Sequence, residues 1–185
     1  MPDMVQKTLE ATEAKCAELA ELIYKRESIY LLAKRESLAI AKEAALKIKE
    51  LNYIHAEALG ACEMKHGPIA LIESEKKAET VVILFVLDNP TYEVMMNAVD
   101  QMASRNAFVV IVTDCQKKIE ANNEAKKKEK PNWKENYHFM INVPKMEHLS
   151  HMLTLIPMQV MVEKISKLKG INPDMPRNLA KTVTV

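Results

Sequence analysis

The sequence predicts an α/β protein: a parallel sheet flanked by helices on both faces, followed by a short C-terminal tail. Three observations predict it. Residues 80–87 (TVVILFVL) and 108–113 (FVVIVT) are apolar at nearly every position and rich in β-branched side chains, as in strands buried on both faces. Segments with apolar residues at helical spacing precede, separate and follow these runs. Strands that alternate with helices pair through crossovers and so build a parallel sheet.

The elements follow in order. Val5, Leu9, Cys16, Leu19, Leu22 and Ile23 recur at helical spacing and predict a helix over 4–26. Residues 28–33 form a short apolar run, a first buried strand. Residues 37–54, rich in Ala, Leu, Lys and Glu, predict a helix. Strand 80–87 leads to a helix over 90–105, then to strand 108–113 and a helical piece running into Asn122. Residues 117–135 carry seven lysines interleaved with Glu120, Glu124, Glu129 and Glu135. With Asn123 and Pro131 they read as a solvated loop or helix end. Residues 138–143 predict the last strand, and 146–169 one long helix. Pro173 and Pro176 keep a further helix from forming. A domain over 1–170 (helix 4–26, α/β core 28–169) and a tail over 171–185 result. Ligands in such sheets bind beyond the carboxyl ends of the strands.

Composition narrows the function classes. The net charge is +1 with 28% charged residues, so neither nucleic acid nor a membrane is expected as a partner. The lysine-rich segment mixes both signs of charge, which a phosphate-binding patch would not. No apolar run reaches the length of a membrane span and no signal segment stands at the start, which predicts a cytoplasmic protein. Cys16, Cys62 and Cys115 are scattered, as free thiols are and zinc ligands are not. With three glycines in all, no phosphate-cradling Gly-rich loop can be written. No cofactor and no metal are expected; His55 with Glu57, and His148 with His151, read as packing or surface residues.

Two places carry candidate chemistry. Lys47 and Glu50 stand one turn apart on the second helix, with Glu43 on the other side of Lys47. Such a group either handles protons or is an ordinary surface ion pair. In Lys65-His66-Gly67-Pro68 the imidazole of His66 falls on a turn at a helix end, where functional side chains tend to be exposed. The tail carries Leu179, Val183 and Val185, which would be wasted in water, and one lysine, Lys181. Either the tail packs inward and Lys181 reaches a carbonyl, forming an imine, or it is an edge strand with a solvated lysine.

Three stretches together resemble the glutamine–fructose-6-phosphate aminotransferases: residues 45–57 (ALKIKELNYIHAE), 63–71 (EMKHGPIAL) and 176–185 (PRNLAKTVTV). The likeness is collinear over essentially the whole chain, and Asp88-Asn89-Pro90-Thr91-Tyr92 leans toward the eukaryotic form. It implies the last third of a longer enzyme: the second of two sugar-isomerase (SIS) domains plus the C-terminal tail, without the glutaminase domain and the first SIS domain. The activity implied is conversion of fructose 6-phosphate to glucosamine 6-phosphate with ammonia from glutamine, on the route to UDP-N-acetylglucosamine. By the same resemblance Lys181 forms an imine at C2, Glu50 moves a proton from C1 to C2, and Lys47 assists. His66 opens the sugar ring across a homodimer interface, and the Ala180 backbone lies near the sugar. The phosphate-holding Ser/Thr loop belongs to the first SIS domain, so the chain alone is expected to be inactive.

Departures from the family pattern are local. Ala33-Lys34-Arg35 stands where the family has a Gly-Arg-Gly turn, and Cys62 replaces a glycine. The alternatives are a stand-alone SIS module that binds a phosphosugar for regulation and, behind it, a lone phosphosugar isomerase.

Overall fold

The computed structural model describes residues 2–72, 80–130 and 132–179. The elements are α1 (Pro2–Ile23), β1 (Ser28–Ala33), α2 (Ser37–Asn52), β2 (His55–Gly60), two 3-10 turns (Met64–His66 and Pro68–Leu71) and β3 (Val81–Val86). Then come α3 (Tyr92–Ala103), β4 (Phe108–Thr113), α4 (Gln116–Glu129), β5 (Phe139–Asn142), α5 (Ser150–Leu153) and α6 (Leu155–Leu168). The five strands form one all-parallel sheet in the order β2-β1-β3-β4-β5, as the alternation of strands and helices predicts.

Because side chains alternate across a strand, the central strands feed two cores. Ile29, Leu31, Ile83, Phe85, Val110 and Val112 face α1, α2 and α6, where Leu19, Ile23, Ile48, Met161 and Ile165 meet them. Leu32, Val82, Leu84, Val109 and Ile111 face α3 and α4, through Tyr92, Met95, Val99, Met102 and Ile119. Residues buried on both faces are why β3 and β4 read as unbroken apolar runs.

Three expectations need correction. His55–Gly60 is a strand, paired in register with Ser28–Ala33, although no strand is predicted there. It lies at the edge of the sheet and is largely half-exposed, so it needs no apolar run. The helical piece expected to run into Asn122 continues to Glu129: Lys, Glu and Ala are good helix formers, and buried Ile119 and Asn123 anchor the helix. The predicted long helix over 146–169 is broken at Thr154. Pro157 lacks the N–H that would bond the carbonyl of Leu153, and its ring would crowd that carbonyl.

The Ala33-Lys34-Arg35 turn does form without its glycines. Arg35 adopts a left-handed conformation, φ 54°, which costs a side-chain-bearing residue roughly 1–2 kcal/mol. Helix α2 then crosses back, antiparallel to the strands. At about 1.5 Å per residue its 16 residues span roughly 24 Å, so its last turn lies at the amino end of the sheet.

Candidate functional site

On α2 the buried side chains include Ala41, Ala44, Ala45 and Ile48, which turns Glu43, Lys47 and Glu50 outward. Lys47 Nζ lies 2.8 Å from Glu50 Oε2 and 3.6 Å from Glu43 Oε1. The hydrogen bond to Glu50 raises the Lys47 pKa above its ordinary value. Lys47 is therefore a fixed ammonium, able to orient and balance the Glu50 carboxylate but not to act as a base at neutral pH.

The end of α2 is locked in place. Asn52 is fully buried, and its Nδ2 donates to Val162 O at 2.8 Å and to Ser166 Oγ at 2.9 Å. Lys169 Nζ donates to Asn52 O at 2.7 Å. The next residue, Tyr53, caps the helix in a left-handed conformation, φ 54°, where glycine or asparagine is usual. These bonds tie the last turn of α2 to α6, the helix that leads into the tail.

The tail comes back to the same place. The backbone N–H of Arg177 donates to Tyr53 Oη at 2.8 Å, and the guanidinium carbon of Arg177 lies 4.1 Å from the centre of the Tyr53 ring. Between them opens a cavity of about 460 Å³ lined by Lys49, Glu50, Tyr53, Ile54, His55, Arg177, Asn178 and Leu179. Of the five predicted site residues, Glu50 lies on this wall with Lys47 behind it. Ala180 and Lys181 lie outside the described residues, which end at Leu179. Tyr53 and Arg177 are the residues that sequence reasoning missed. Standing 124 positions apart, they offer no spacing signal; only the left-handed cap, visible in the structure, singles out Tyr53.

His66 is not brought to Glu50. It ends the short 3-10 turn Met64–His66, on the exposed stretch that follows β2, because 55–60 pairs with β1 as a strand. Its neighbour Met64 is buried in the core under α3 and α4, whereas α2 packs on the opposite face. With a rise of about 3.3 Å per residue, β2 alone separates the two ends by roughly 17 Å. Within one chain Glu50 and His66 therefore occupy opposite ends and opposite faces of the sheet edge.

A larger hollow, about 930 Å³, opens at the carboxyl ends of the strands, lined among others by Arg35, Glu36, Asp88, Asp114, Lys145 and His151. This is where the fold class predicts a ligand, yet Lys47 and Glu50 lie at the other end because α2 carries them there. Asp88 in this hollow is bridged by Lys118 at 2.7 Å and Lys145 at 2.5 Å. The hydrogen bond from Lys118, followed by that from Lys145, holds its pKa down at about 2. The two lysines are thus neutralised in part by their own chain. Among the described residues no three His, Cys, Asp or Glu side chains gather as metal ligands would. No helix there is long and apolar enough to cross a membrane.

Residues 22–162 match the SIS domain family. The chain belongs to that family. Over 191 residues this SIS domain is 37% identical to the isomerizing glutamine–fructose-6-phosphate aminotransferase of Pyrobaculum aerophilum, an alignment covering 100% of this chain and 28% of that protein. The first isoform of the same enzyme in Rattus norvegicus is 32% identical over 186 residues, covering 100% of this chain and 25% of the rat protein. The SIS domain thus spans about a quarter of the length of these relatives. Among solved structures, the C-terminal domain of glucosamine-fructose-6-phosphate aminotransferase from Francisella tularensis superposes with a TM-score of 0.76 at 23% identity. That superposition covers 94% of this chain and 44% of the other, and shows the shared fold.

Proposed function

We propose that this SIS domain is the second isomerase half of an isomerizing glutamine–fructose-6-phosphate aminotransferase. The whole enzyme makes glucosamine 6-phosphate from fructose 6-phosphate and glutamine-derived ammonia. The observation that carries this reading is the return of the tail to the end of α2, which leaves Leu179 on the wall of a cavity that also holds Glu50. Two residues further on stands Lys181.

The chemistry assigned to these residues is as follows. The neutral Lys181 amine attacks C2 of the open-chain ketose and water leaves, giving an imine. Ammonia adds at C2 and displaces the lysine. The Glu50 carboxylate takes the proton from C1, the C1–H pair forms a C1=C2 bond and the C2=N pair moves to nitrogen, which gains a proton. The proton on Glu50 then returns at C2 while the C1 hydroxyl gives up its own, leaving a 2-amino aldose. The Lys47 ammonium, 2.8 Å from Glu50, keeps that carboxylate aimed and compensated through the transfer. The Ala180 backbone lies beside the sugar. His66 opens the ring in a neighbouring site: its distance from Glu50 within one chain is what a homodimer with shared sites requires. Residues 1–170 form the domain and 171–185 the catalytic tail. The phosphate is held by the first SIS domain of the longer enzyme, so the chain alone does not turn over.

Borohydride trapping tests the assignment. The full-length protein is incubated with fructose 6-phosphate, reduced and digested, and the expected result is a hexitol phosphate adduct on Lys181. An adduct on another lysine, or none, overturns it. Calorimetric binding of fructose 6-phosphate that is indifferent to Lys181→Ala, without any adduct, points instead to a regulatory phosphosugar-binding module.

A further inference from the structure

We propose that Tyr53 is a positioning residue, a clamp that fixes the tail so that the Lys181 amine meets the sugar held against Glu50. The proposal rests on the reading that Lys181 and Glu50 act on one substrate. It adds the residue that brings them together.

Four observations support it. Tyr53 makes two different contacts to a single tail residue: its hydroxyl accepts the Arg177 N–H at 2.8 Å, and its ring lies under the Arg177 guanidinium at 4.1 Å. A backbone bond and a cation–π contact together fix both the position and the rotation of the strip at that residue. Tyr53 also stands three positions after Glu50 and lines the same cavity, so whatever it holds is held beside the carboxylate. It occupies a left-handed helix cap, φ 54°, where a side chain is disfavoured; such positions persist where the side chain has a task. Finally, Asn178 follows Arg177 with φ 62°, a second left-handed residue that bends the strip directly after the clamp.

Chain length shows what the clamp achieves. The last bond of the α6 terminus is Ile171 N to Ser166 O, ten residues before Lys181. From Arg177 only four residues remain, a reach of at most about 14 Å. Moving the last anchor from ten residues before Lys181 to four raises the chance of bringing its end to a fixed point by roughly fourfold at most, because a turn closed by Met175 N on Asn172 O already shortens the stretch before Arg177.

The test uses the full-length protein with Tyr53→Phe, Tyr53→Leu, Arg177→Gln and the Tyr53→Leu/Arg177→Gln double variant. The rate of borohydride trapping at Lys181 is measured with saturating fructose 6-phosphate, alongside KM and kcat. Tyr53→Leu is expected to lower the trapping rate and kcat about two- to fourfold, with KM for the sugar unchanged because the phosphate is held elsewhere. Tyr53→Phe, which keeps the ring, restores part of the rate. The double variant is expected to be no slower than Tyr53→Leu alone, since Tyr53→Leu removes both contacts and Arg177→Gln only the ring contact. Arg177→Gln lies on the exposed tail and leaves the core intact, so its outcome stands whatever Tyr53→Leu does to folding. Wild-type trapping at Lys181 with unchanged rates in Tyr53→Leu and Arg177→Gln overturns the clamp alone. Absence of any wild-type adduct at Lys181 overturns the shared reading and the clamp with it.

Discussion

Replacing Glu50 by glutamine separates what the carboxylate does for the helix from what it does for the reaction. The pair with Lys47 is short, 2.8 Å, but both side chains meet solvent, at 31% for Lys47 and 23% for Glu50. Partly exposed helix pairs of this kind contribute about 0.2–1 kcal/mol. Glutamine keeps the shape and an acceptor, so the loss of stability is at most about 1 kcal/mol, equivalent to about 2–4 °C in Tm for a chain of this size. A general base, in contrast, accounts for about 10²–10⁴ in rate, or roughly 2.7–5.5 kcal/mol in the barrier. Scanning calorimetry on the chain reads the first quantity. Amino-sugar formation by the full-length protein with saturating ammonia, which bypasses glutamine hydrolysis, reads the second. The pH dependence supplies a check on the pairing. The Lys47 pKa is raised by Glu50, so the pair's contribution is complete below the unfolded lysine pKa and disappears as pH rises through the folded one. The Tm difference between wild type and Glu50→Gln is therefore expected to close at strongly alkaline pH. A turnover rate within about threefold of wild type refutes the assignment of the base. A Tm drop beyond about 8 °C refutes the limit of about 1 kcal/mol on what the pair adds to stability.

Two further outcomes are expected. Arg35→Gly relieves a left-handed conformation worth roughly 1–2 kcal/mol and restores about 0.4–1 kcal/mol of unfolded-chain freedom. A net gain of about 0.5–1 kcal/mol should raise the urea midpoint, and a fall in that midpoint would show that the Arg35 side chain holds the turn together. Asp88 has its pKa lowered to about 2 by Lys118 and Lys145, so its contribution is present above the unfolded pKa near 4 and is lost as pH falls toward 2. After allowance for solvent screening, Asp88→Asn is expected to cost about 1 kcal/mol at neutral pH and to flatten the decline of the urea midpoint across that acid window. Parallel declines in the two proteins would show that the bridge adds nothing.

The interior strands were legible in the sequence because burial on two faces leaves a continuous apolar run, as in 81–86 and 108–113. Strand β2 was not, since one flank of an edge strand meets solvent and HAEALG carries no such run. The extension of helix α4 beyond Asn122 was not legible because its lysines and glutamates suit a solvated helix as well as a loop, and its burial rests on Ile119 and Asn123. The kink at Thr154 was in principle readable from Pro157. Of the candidate site, Lys47 and Glu50 were legible as a pair because helical spacing fixes their separation. Their place at the amino end of the sheet was not, because it depends on the direction in which α2 crosses. The hold of Tyr53 on Arg177 joins two distant positions through one ring, and no local pattern encodes it.

In the proposed homodimer, the separation of Glu50 from His66 along β2 carries a genetic consequence. Each polypeptide would supply parts to two different catalytic centres, its own and its neighbour's. A copy damaged in both residues would then disable the centres on both sides of the assembly. Two differently damaged copies, by contrast, would rebuild one intact centre between them.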